Sequence, residues 1–280
     1  MPELPEVETV CRVMRRALVG KKIVDVEVVP DTIMFGSAPR AAIESALQGK
    51  TVKAIGRKGK AWWIETDSPP VLFGHLGMTG WIRQLGKPTT RLREHGEAPL
   101  DDEAGRPRFL KLMITAEDGS RVALTDGRRL GRVWLSESPE GDPKIAKLGP
   151  DAMDQLPKGD KFAALFRKRN APIKTVLMDQ HVLSGIGNWL ADEVLYQSRI
   201  APQRLASSLS DSELAAMRRK IVKVLKTAVD ASADSDKYPK SWLFHHRWGG
   251  SRGAEKIGRH QIVRDEVGGR TTAWVPALQK

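Results

Sequence analysis

The sequence predicts an α+β protein in which an antiparallel β-sandwich with a leading helix comes first, a helical domain follows, and a β-hairpin ends the chain. Three observations predict this order. Short alternating segments recur before residue 136, helical periodicity dominates from 160 to 231, and strand and turn signals return after 240. A chain of 280 residues is long enough for two such domains, each with its own core.

The first element is an amphipathic helix over 5–18. Pro5 suits its first turn, and Glu3 and Glu6 lie where carboxylates complement the positive end of the helix dipole. A capped helix is a sufficient explanation for these residues, but it leaves Pro2 unexplained. The apolar residues that recur at helical spacing are Val7, Val10, Cys11, Met14 and Leu18.

Half-buried strands are predicted over 22–30, 61–66, 109–115 and 121–125, where apolar and polar residues alternate. Short strands at close intervals are typical of an antiparallel sandwich or barrel. Turn formers and charges over 86–107 predict a long loop among these strands.

A segment rich in Pro, Gly and charge divides the chain. We expect an N-terminal domain over 1–135, a linker over 136–150, a helical domain over 151–235 and a terminal hairpin over 236–280 with a Gly-Gly pair at 268–269 near its tip. The helices of the third segment are predicted over 160–169, 173–180, 188–197 and 211–231.

Charge points to a polyanionic partner. Lys and Arg total 46 against 34 for Asp and Glu, which gives a formal net charge of +12 and an isoelectric point near 9.9. Nucleic acid is the first candidate for such a partner. Charge alone also fits a ribosome-like or simply a soluble basic protein.

Cys11 is the one cysteine, which excludes a disulfide framework or a thiolate zinc site and predicts a reducing compartment. No stretch approaches 18 consecutive apolar residues, and the start lacks a basic, apolar secretory leader. We therefore expect no membrane partner. The protein should stay in the cytoplasm and nucleoid of a bacterium or reach the nucleus of a eukaryotic cell.

Two basic turns, GRKGK at 56–60 and TDGRRLGR at 125–132, gather cations beside predicted strands, where they can face a groove together. Solvated charged turns are the alternative. HLGMTG at 75–80 sets Met78 between glycines on a turn, and an exposed apolar side chain beside basic turns can act as a wedge between bases. Without those neighbours, we would expect Met78 to be buried.

A glycine-rich turn, SGIGN at 184–188, separates two predicted helices, and free amides at a helix start suit a phosphate. An ordinary helix connection with a glycine cap explains it equally well. Strand and turn signals are assigned to 241–248, which includes His245 and His246. Adjacent residues of a strand point to opposite faces, so we expect structural histidines and no metal site.

Five motifs, in this order and over most of the chain, resemble those of the formamidopyrimidine-DNA glycosylase and endonuclease VIII family. They are MPELPEVETV, GRKGK, HLGMTG, TDGRRLGR and SGIGNWLADEVLY. The turn at 185–188 resembles the family's helix-two-turn-helix element, and the ending GGRTTAWVP resembles the zincless finger of plant and fungal members. The resemblance implies a monomeric enzyme without a cofactor that acts on double-stranded DNA containing oxidised bases or abasic sites.

The resemblance also implies a mechanism. Met1 is removed, and the amine of Pro2 attacks the sugar C1′, displaces the damaged base and becomes an iminium; β- and δ-elimination then cut the strand. Glu3 matches the general acid and proton shuttle, and Glu6 matches a second carboxylate that positions the amine and the opened sugar. Lys60 matches a lysine that grips phosphate beside the lesion.

Further residues match DNA contacts of the family. Lys174 and Asn188 match phosphate contacts, Arg270 matches an arginine that enters the minor groove, and Arg129 is expected to contact DNA. Glu193 matches the carboxylate on the second motif helix and is the candidate for the base pocket.

Three residues match those that fill the space left by a flipped nucleotide. Met78 and Arg128 fit the family pattern, whereas Leu130 stands where phenylalanine is usual. Because leucine stacks poorly on bases, we expect lesion search or opposite-base preference to differ.

Two departures affect metal and substrate. The chain cannot build the four-cysteine zinc finger of most bacterial members, so aromatic packing is expected to replace the metal; the residues are Trp242, Phe244, Trp248 and Trp274. Residues 230–242 are shorter than expected for bacterial members, where a flexible loop covers 8-oxoguanine. This predicts good activity on formamidopyrimidines and hydantoins and weak activity on 8-oxoguanine.

Three alternatives stay open. An endonuclease VIII-like enzyme would favour oxidised pyrimidines, although Arg128 resembles the part that reads an opposite cytosine. A catalytically silent protein could keep the scaffold and bind damage only. An RNA-binding module would prefer RNA over lesion DNA.

Overall fold

The computed structural model describes residues 2–36, 38–89, 98–248 and 255–280. The chain forms two compact units, one of residues 1–147 with 232–235 and the other of 148–231 with 236–280. Both units combine helices with antiparallel strands, which confirms the predicted α+β class.

The first unit is a β-sandwich. Its strands are β1 (Ile23–Val28), β2 (Val52–Lys58), β3 (Ala61–Thr66), β4 (Val71–His75), β5 (Trp81–Gln84), β6 (Leu110–Ala116), β7 (Arg121–Thr125) and β8 (Arg132–Ser136). They form two four-stranded antiparallel sheets with the orders β1-β6-β7-β5 and β2-β3-β4-β8. The inward-facing side chains of both sheets alternate with exposed ones, as in sandwiches generally.

The core of this unit includes one face of the leading helix, α1 (Leu4–Leu18). Val7, Val10 and Met14 are buried in the same apolar cluster as Trp62 and Leu72 of the sheets. Burying this stripe removes a large apolar area from water, which fixes the start of the chain against the sandwich. Three shorter helices complete the unit: α2 (Thr32–Phe35), α3 (Arg40–Leu47) and α4 (Pro143–Ala146).

The sequence predicted α1, β1, β3, β6 and β7 to within two residues at each end, and it missed several elements. GRKGK is not only a turn, because its first three residues end strand β2. Helix α4 lies within the predicted linker. Of the predicted loop over 86–107, residues 90–97 lie outside the described residues, and the rest is irregular apart from a bridge between Asp101 and Pro107.

The second unit carries the four helices that periodicity predicted: α5 (Gly159–Arg167), α6 (Ile173–Met178), α7 (Asn188–Ser198) and α8 (Asp211–Asp230). Ser210 and Glu213 form a capping box that starts α8, in which the Ser210 hydroxyl accepts from the amide of Glu213. In the part of the chain that the structure describes, no helix is long and apolar enough to cross a membrane.

The C-terminal strands form two hairpins: β9 (Lys256–Ile257) with β10 (His260–Gln261), and β11 (Val263–Val267) with β12 (Arg270–Trp274). Gly268 and Gly269 join β11 to β12 with φ values of 60° and 72°, a two-residue turn whose twist matches that of the strands. This confirms the predicted hairpin and its tip. The strand signal over 241–248 was wrong, because Leu243–His245 form a 3₁₀ turn.

Candidate functional site

The start of α1 brings together the first three predicted site residues. Pro2 is buried immediately before the helix, and Glu3 and Glu6 are each only 2% exposed. The amide of Glu3 donates to Oε2 of Glu6 at 3.0 Å, as in a capping box. Helix capping therefore holds both carboxylates beside Pro2.

The carboxyl of Glu6 is poised to exchange a proton near neutral pH. Burial, reinforced by the nearby charge of Glu3, raises the pKa of Glu6 to about 7. A group with such a pKa is present in both protonation states at pH 7, which suits general acid–base chemistry.

A lysine and a histidine lie on adjacent strands of the same unit. Lys60 occupies the turn between β2 and β3 and is 8% exposed, and Ala61 next to it pairs with His75 at the end of β4. Burial, together with the charges of Lys60 and Arg132, lowers the pKa of His75 to about 4. Its Nδ1 accepts from the amide of Gly77 at 2.9 Å, so the neutral ring carries its proton on Nε2.

The sequence did not predict His75 as a site residue. It belongs to the HLGMTG motif, for which the sequence predicted a role for Met78 alone. The sequence offered one signal for a role of His75: it ends the segment VLFGH at 71–75, close to motifs rich in Lys and Arg. What burial and two neighbouring cations do to its protonation is visible only in three dimensions.

One buried carboxylate organises the loops that carry the predicted wedge. Asp126 is fully buried; its Oδ1 accepts from the Thr79 hydroxyl at 2.8 Å and from the Arg128 amide at 3.1 Å. Its Oδ2 accepts from the amide of Gly131 at 2.7 Å. These bonds tie the turn after β4 to the turn before β8, because buried carboxylates need such donors.

The side chains that these turns present are exposed. Met78 is 43% and Leu130 is 39% exposed, and Arg128 is also exposed. The two turns touch closely: a Cβ at Gly77, where φ is +61°, would lie 2.4 Å from the backbone of Leu130. The structure thus brings Met78, Arg128 and Leu130 to one surface of the first unit.

Arg129 forms an ion pair with Asp31 of the same unit. Its Nε and Nη2 donate to the two oxygens of Asp31 at 2.9 and 3.0 Å, and Lys111 reaches the same carboxylate at 2.8 Å. Although burial acts in the opposite direction, these donors hold the pKa of Asp31 well below its usual range. The pair anchors the loop of Arg128 and Leu130. Contact of Arg129 with DNA stays a prediction.

Lys174 lies in an ion cluster of the second unit. Its side chain is completely buried, its Nζ lies 2.7 Å from Oδ1 of Asp192, and it donates to the Thr272 hydroxyl at 2.7 Å. Contact of Lys174 with a DNA phosphate stays a prediction. Arg247 completes the cluster, with its Nη2 2.7 Å from Oδ2 of Asp192.

Asn188 and Arg270 both lie near the tip of the β11–β12 hairpin. Asn188, the first residue of α7, donates from Nδ2 to the carbonyl of Thr271 at 3.1 Å, and Lys174 donates to the same carbonyl at 3.0 Å. Arg270, next to the Gly-Gly turn, is exposed. The tip of the β11–β12 hairpin is therefore fastened to the helices while its arginine faces solvent.

Glu193 lies inside the second unit. Its Oε1 accepts from Gln197 at 2.7 Å and its Oε2 from the amide of Phe244 at 2.8 Å, and burial raises its pKa to about 7. Its placement in a base pocket stays a prediction. Among the described residues, no group of three or more His, Cys, Asp or Glu side chains could hold a metal ion. The ring Nε2 of His245 lies 3.3 Å from the carbonyl of Tyr238.

Two family models match most of this chain, and curated relatives match its whole length. Residues 1–133 match the N-terminal domain of formamidopyrimidine-DNA glycosylase, and residues 148–240 match its helix-two-turn-helix domain. A formamidopyrimidine-DNA glycosylase of Arabidopsis thaliana is 39% identical over 280 residues, which cover all of this chain and 71% of that protein. One from Heliobacterium modesticaldum is 32% identical over 290 residues, covering both chains completely.

Solved structures agree. Formamidopyrimidine-DNA glycosylase of Lactococcus lactis, bound non-covalently to DNA containing an abasic site, covers both chains fully with a TM-score of 0.79 and 25% identity. The structure of MutM in complex with DNA containing carbocyclic 8-oxoguanine also covers both chains fully, with a TM-score of 0.81 and 26% identity. Because two of its domains match the family models and its relatives match along the chain, this protein belongs to the formamidopyrimidine-DNA glycosylase family of DNA repair proteins.

Proposed function

We propose that this protein is a bifunctional DNA glycosylase and abasic-site lyase of base excision repair, with the amine of Pro2 as nucleophile. The observation that carries the proposal is the start of α1, where Pro2 is buried beside two carboxylates and one of these has a pKa near 7. The proposal requires that Met1, which lies outside the described residues, is removed so that the amine of Pro2 is free.

The chemistry follows from the position of Pro2. The positive end of a helix disfavours a protonated amine, and a terminal amine has a reference pKa of about 7.7–8.0, so a neutral fraction exists near pH 7. The amine attacks C1′, the bond from C1′ to the base breaks, and the base leaves with a proton supplied by Glu3. The C1′–O4′ bond then breaks, O4′ takes up the proton that the attacking amine released, and an iminium forms between Pro2 and C1′. Removal of a C2′ proton by a carboxylate expels the 3′ phosphate, and removal of a C4′ proton then expels the 5′ phosphate.

Glu6 would hold the proton that the amine releases on attack. A carboxyl with a pKa of about 7 accepts a proton from a secondary ammonium and returns it without a large free-energy cost. Its hydrogen bond from the amide of Glu3 fixes the orientation of the carboxyl. Glu6 therefore combines the positioning role implied by the resemblance with proton transfer.

Double-stranded DNA containing oxidised bases or abasic sites is the proposed substrate. The net charge of +12 favours a polyanion, and the exposed Arg128 and Arg270 each lie at a turn held by hydrogen bonds to other segments. The neutral ring of His75 offers an Nε2 donor beside Lys60, a pair that suits a phosphate oxygen. The Lactococcus lactis relative, which binds DNA with an abasic site, supports this substrate class.

We also propose that the β11–β12 hairpin works as a finger without zinc. Asp192 holds Lys174, Arg247 and the amide of Ala273 on β12, the last at 3.2 Å. A small apolar core lies under the hairpins; it consists of Leu243, Ile257, Ile262, Ala273 and Val275. The ion cluster and this core together fasten β12, which is the task that a metal site would perform.

Aromatic packing contributes around Phe244, though not with all four residues that the sequence suggested. Phe244 lies 5.0 Å from Trp189 and 6.3 Å from Trp248 between ring centroids, and Tyr238 packs 4.9 Å from Trp242. Trp274 lies on β12, where its Nε1 donates to Asp265 at 2.8 Å. The aromatic cluster thus supports the 3₁₀ turn, and the ion cluster supports the hairpin.

The same cluster bears on lesion choice. Tyr238 is 2% exposed, and it packs against Phe244 at 5.1 Å, which fixes the end of the short segment over 230–242, from residue 236 onward, within the second unit. A segment packed in this way cannot fold over a base as a long flexible loop does. We therefore propose oxidised purines of the formamidopyrimidine and hydantoin type as substrates, with 8-oxoguanine a poor one.

Borohydride trapping on an abasic-site duplex tests the mechanism. Untagged protein should form a covalent adduct that mass mapping places on residue 2, since borohydride reduces the iminium to a stable amine. Pro2→Gly should trap less, because a primary amine replaces the secondary one, and an uncleaved N-terminal tag should abolish trapping. Tight damage binding without an adduct, in protein whose Met1 is removed, would instead indicate a catalytically silent damage-binding protein.

Glu6→Gln should change the pH dependence of stability. A carboxyl whose pKa rises from 4.5 to about 7 on folding stabilises the protein fully below pH 4.5, and this contribution is lost as the pH rises through 7. Relative to wild type, Glu6→Gln should therefore gain up to about 3 kcal/mol of unfolding free energy between pH 5 and 8. Urea unfolding measures this, with the exposed Glu140→Gln as the control. A difference that does not vary with pH would refute the buried, proton-holding role.

Asp192→Asn should loosen the hairpin, because it leaves two buried cations without their counter-charge. We expect a loss of about 3 kcal/mol in unfolding free energy and weaker DNA binding. The matched control is Asp230→Asn, which breaks the exposed pair with Lys226 and should cost less than about 1 kcal/mol. Dialysis against a chelator should leave the activity of the wild type unchanged; loss of activity that zinc restores would contradict the metal-free finger.

Lesion duplexes opposite cytosine test the substrate ranking. Single-turnover excision should be faster for a formamidopyrimidine and a hydantoin than for 8-oxoguanine, by about tenfold if a covering loop contributes about 1.4 kcal/mol to the transition state. Comparable rates for 8-oxoguanine and the formamidopyrimidine would refute the ranking. Faster excision of oxidised pyrimidines than of all these purines would favour an endonuclease VIII-like enzyme.

A further inference from the structure

Phe109 is an exposed aromatic residue with an unusual backbone conformation. Its side chain is 56% exposed, and its φ of 60° lies in the left-handed region that bulky residues rarely occupy. It immediately precedes β6, and the pairing of β6 with β7 is irregular between Leu110 and Leu112. Strained conformations of this kind persist where surrounding contacts enforce them, and they concentrate at binding sites.

The contacts that enforce it come from the loop of Arg128. The carbonyl of Phe109 accepts from the amide of Asp126 at 3.0 Å. The ring lies against Gly127, where an added Cβ would be 3.2 Å from its Cγ and Cδ2 atoms. Since Asp126 also receives the amide of Arg128, one buried carboxylate residue fixes both the ring and the exposed arginine.

Phe109 is thus an exposed apolar residue on a segment hydrogen-bonded to Asp126, as are Met78 and Leu130. The hydroxyl of Thr79 and the amide of Gly131 bind the same carboxylate, so all three apolar residues belong to segments tied to Asp126. An exposed aromatic ring near an exposed arginine is a combination that proteins use to stack on unpaired bases. Within the described chain, the ring of Phe109 stays 56% exposed although its backbone is strained, so burial of the ring in this unit does not explain the strain.

We propose that Phe109 is a base-stacking contact of this protein, and that its ring packs on a base exposed where the duplex is opened at a damaged site. The inference rests on the proposed function in that it needs a DNA substrate, but it does not require the chemistry at Pro2. It assigns to Phe109 a part in damage recognition, with Met78 and Leu130 as the apolar side chains beside it.

The experiment compares equilibrium binding to a duplex with a stable abasic-site analogue and to the same duplex undamaged, with 2-aminopurine opposite the abasic position. Phe109→Ala should lose about tenfold in affinity for the abasic duplex and keep its affinity for the undamaged one within about twofold. The change in 2-aminopurine fluorescence on binding should also be reduced. Phe109→Tyr, which keeps the ring, should behave as the wild type does.

Two further variants distinguish the effect of the Phe109 ring on binding from the effect of its strained backbone and from the loss of any exposed apolar side chain. Phe109→Gly relieves the left-handed φ and should lose as much abasic-site affinity as Phe109→Ala. Val24→Ala shortens another exposed apolar side chain of the same unit, 48% exposed, and should match wild type. Melting temperatures of all variants verify that they are folded.

Binding and trapping test the stacking role and the chemistry at Pro2 separately. If Phe109→Ala binds the abasic duplex as tightly as wild type does, or if wild type shows no preference for that duplex, the stacking role is overturned. If the preference exists and Phe109→Ala loses it, the role stands even where borohydride trapping fails and the proposed chemistry at Pro2 falls.

Discussion

Two fully buried carboxylates, Asp126 and Asp192, fix turns that carry several of the candidate functional residues. A carboxylate removed from water needs hydrogen-bond donors for its lone pairs, and the nearest donors come from segments far apart in sequence. Asp126 collects donors from residues 79, 128 and 131, and Asp192 collects them from Lys174, Arg247 and β12. Exposed side chains on these turns are thereby placed without being packed themselves, which leaves them available to a ligand.

At the start of α1, helix capping and the proposed chemistry use the same groups. The carboxyl of Glu6 receives the amide of Glu3 and so satisfies part of the helix end. Its burial raises the pKa to about 7, which costs stability above that pH but leaves a proton available near neutrality. A better-solvated glutamate would cap the helix equally well and would lose this property. The fold thus accepts a small loss of stability where the proposed reaction needs a proton carrier.

Sequence periodicity was sufficient for α1, the four helices of the second unit and the Gly-Gly hairpin, because each has a local signal. It was insufficient where the decisive partner is distant. For Lys174 the sequence predicts a phosphate contact, but it gives no sign of the buried ion pair that this lysine forms with Asp192, one helix later. Likewise, the sequence predicts that Leu130 stacks on bases less well than the usual phenylalanine would. Phe109, 21 positions earlier, reaches the same surface through a positive φ and a contact with Gly127, neither of which has a sequence signature.

The proposed metal-free finger illustrates how charge pairs differ from a metal as a fastening. A zinc site concentrates its binding free energy in a few ligand bonds and is lost as a whole on chelation. In this protein the fastening is divided between a buried ion cluster and a small apolar core, so chelators have no single target. Because Lys174 and Asp192 are completely buried, salt screens them far less than it screens surface pairs. The hairpin can therefore stay fixed when the ionic strength changes, whereas exposed residues proposed to contact DNA, such as Arg270, would respond to salt.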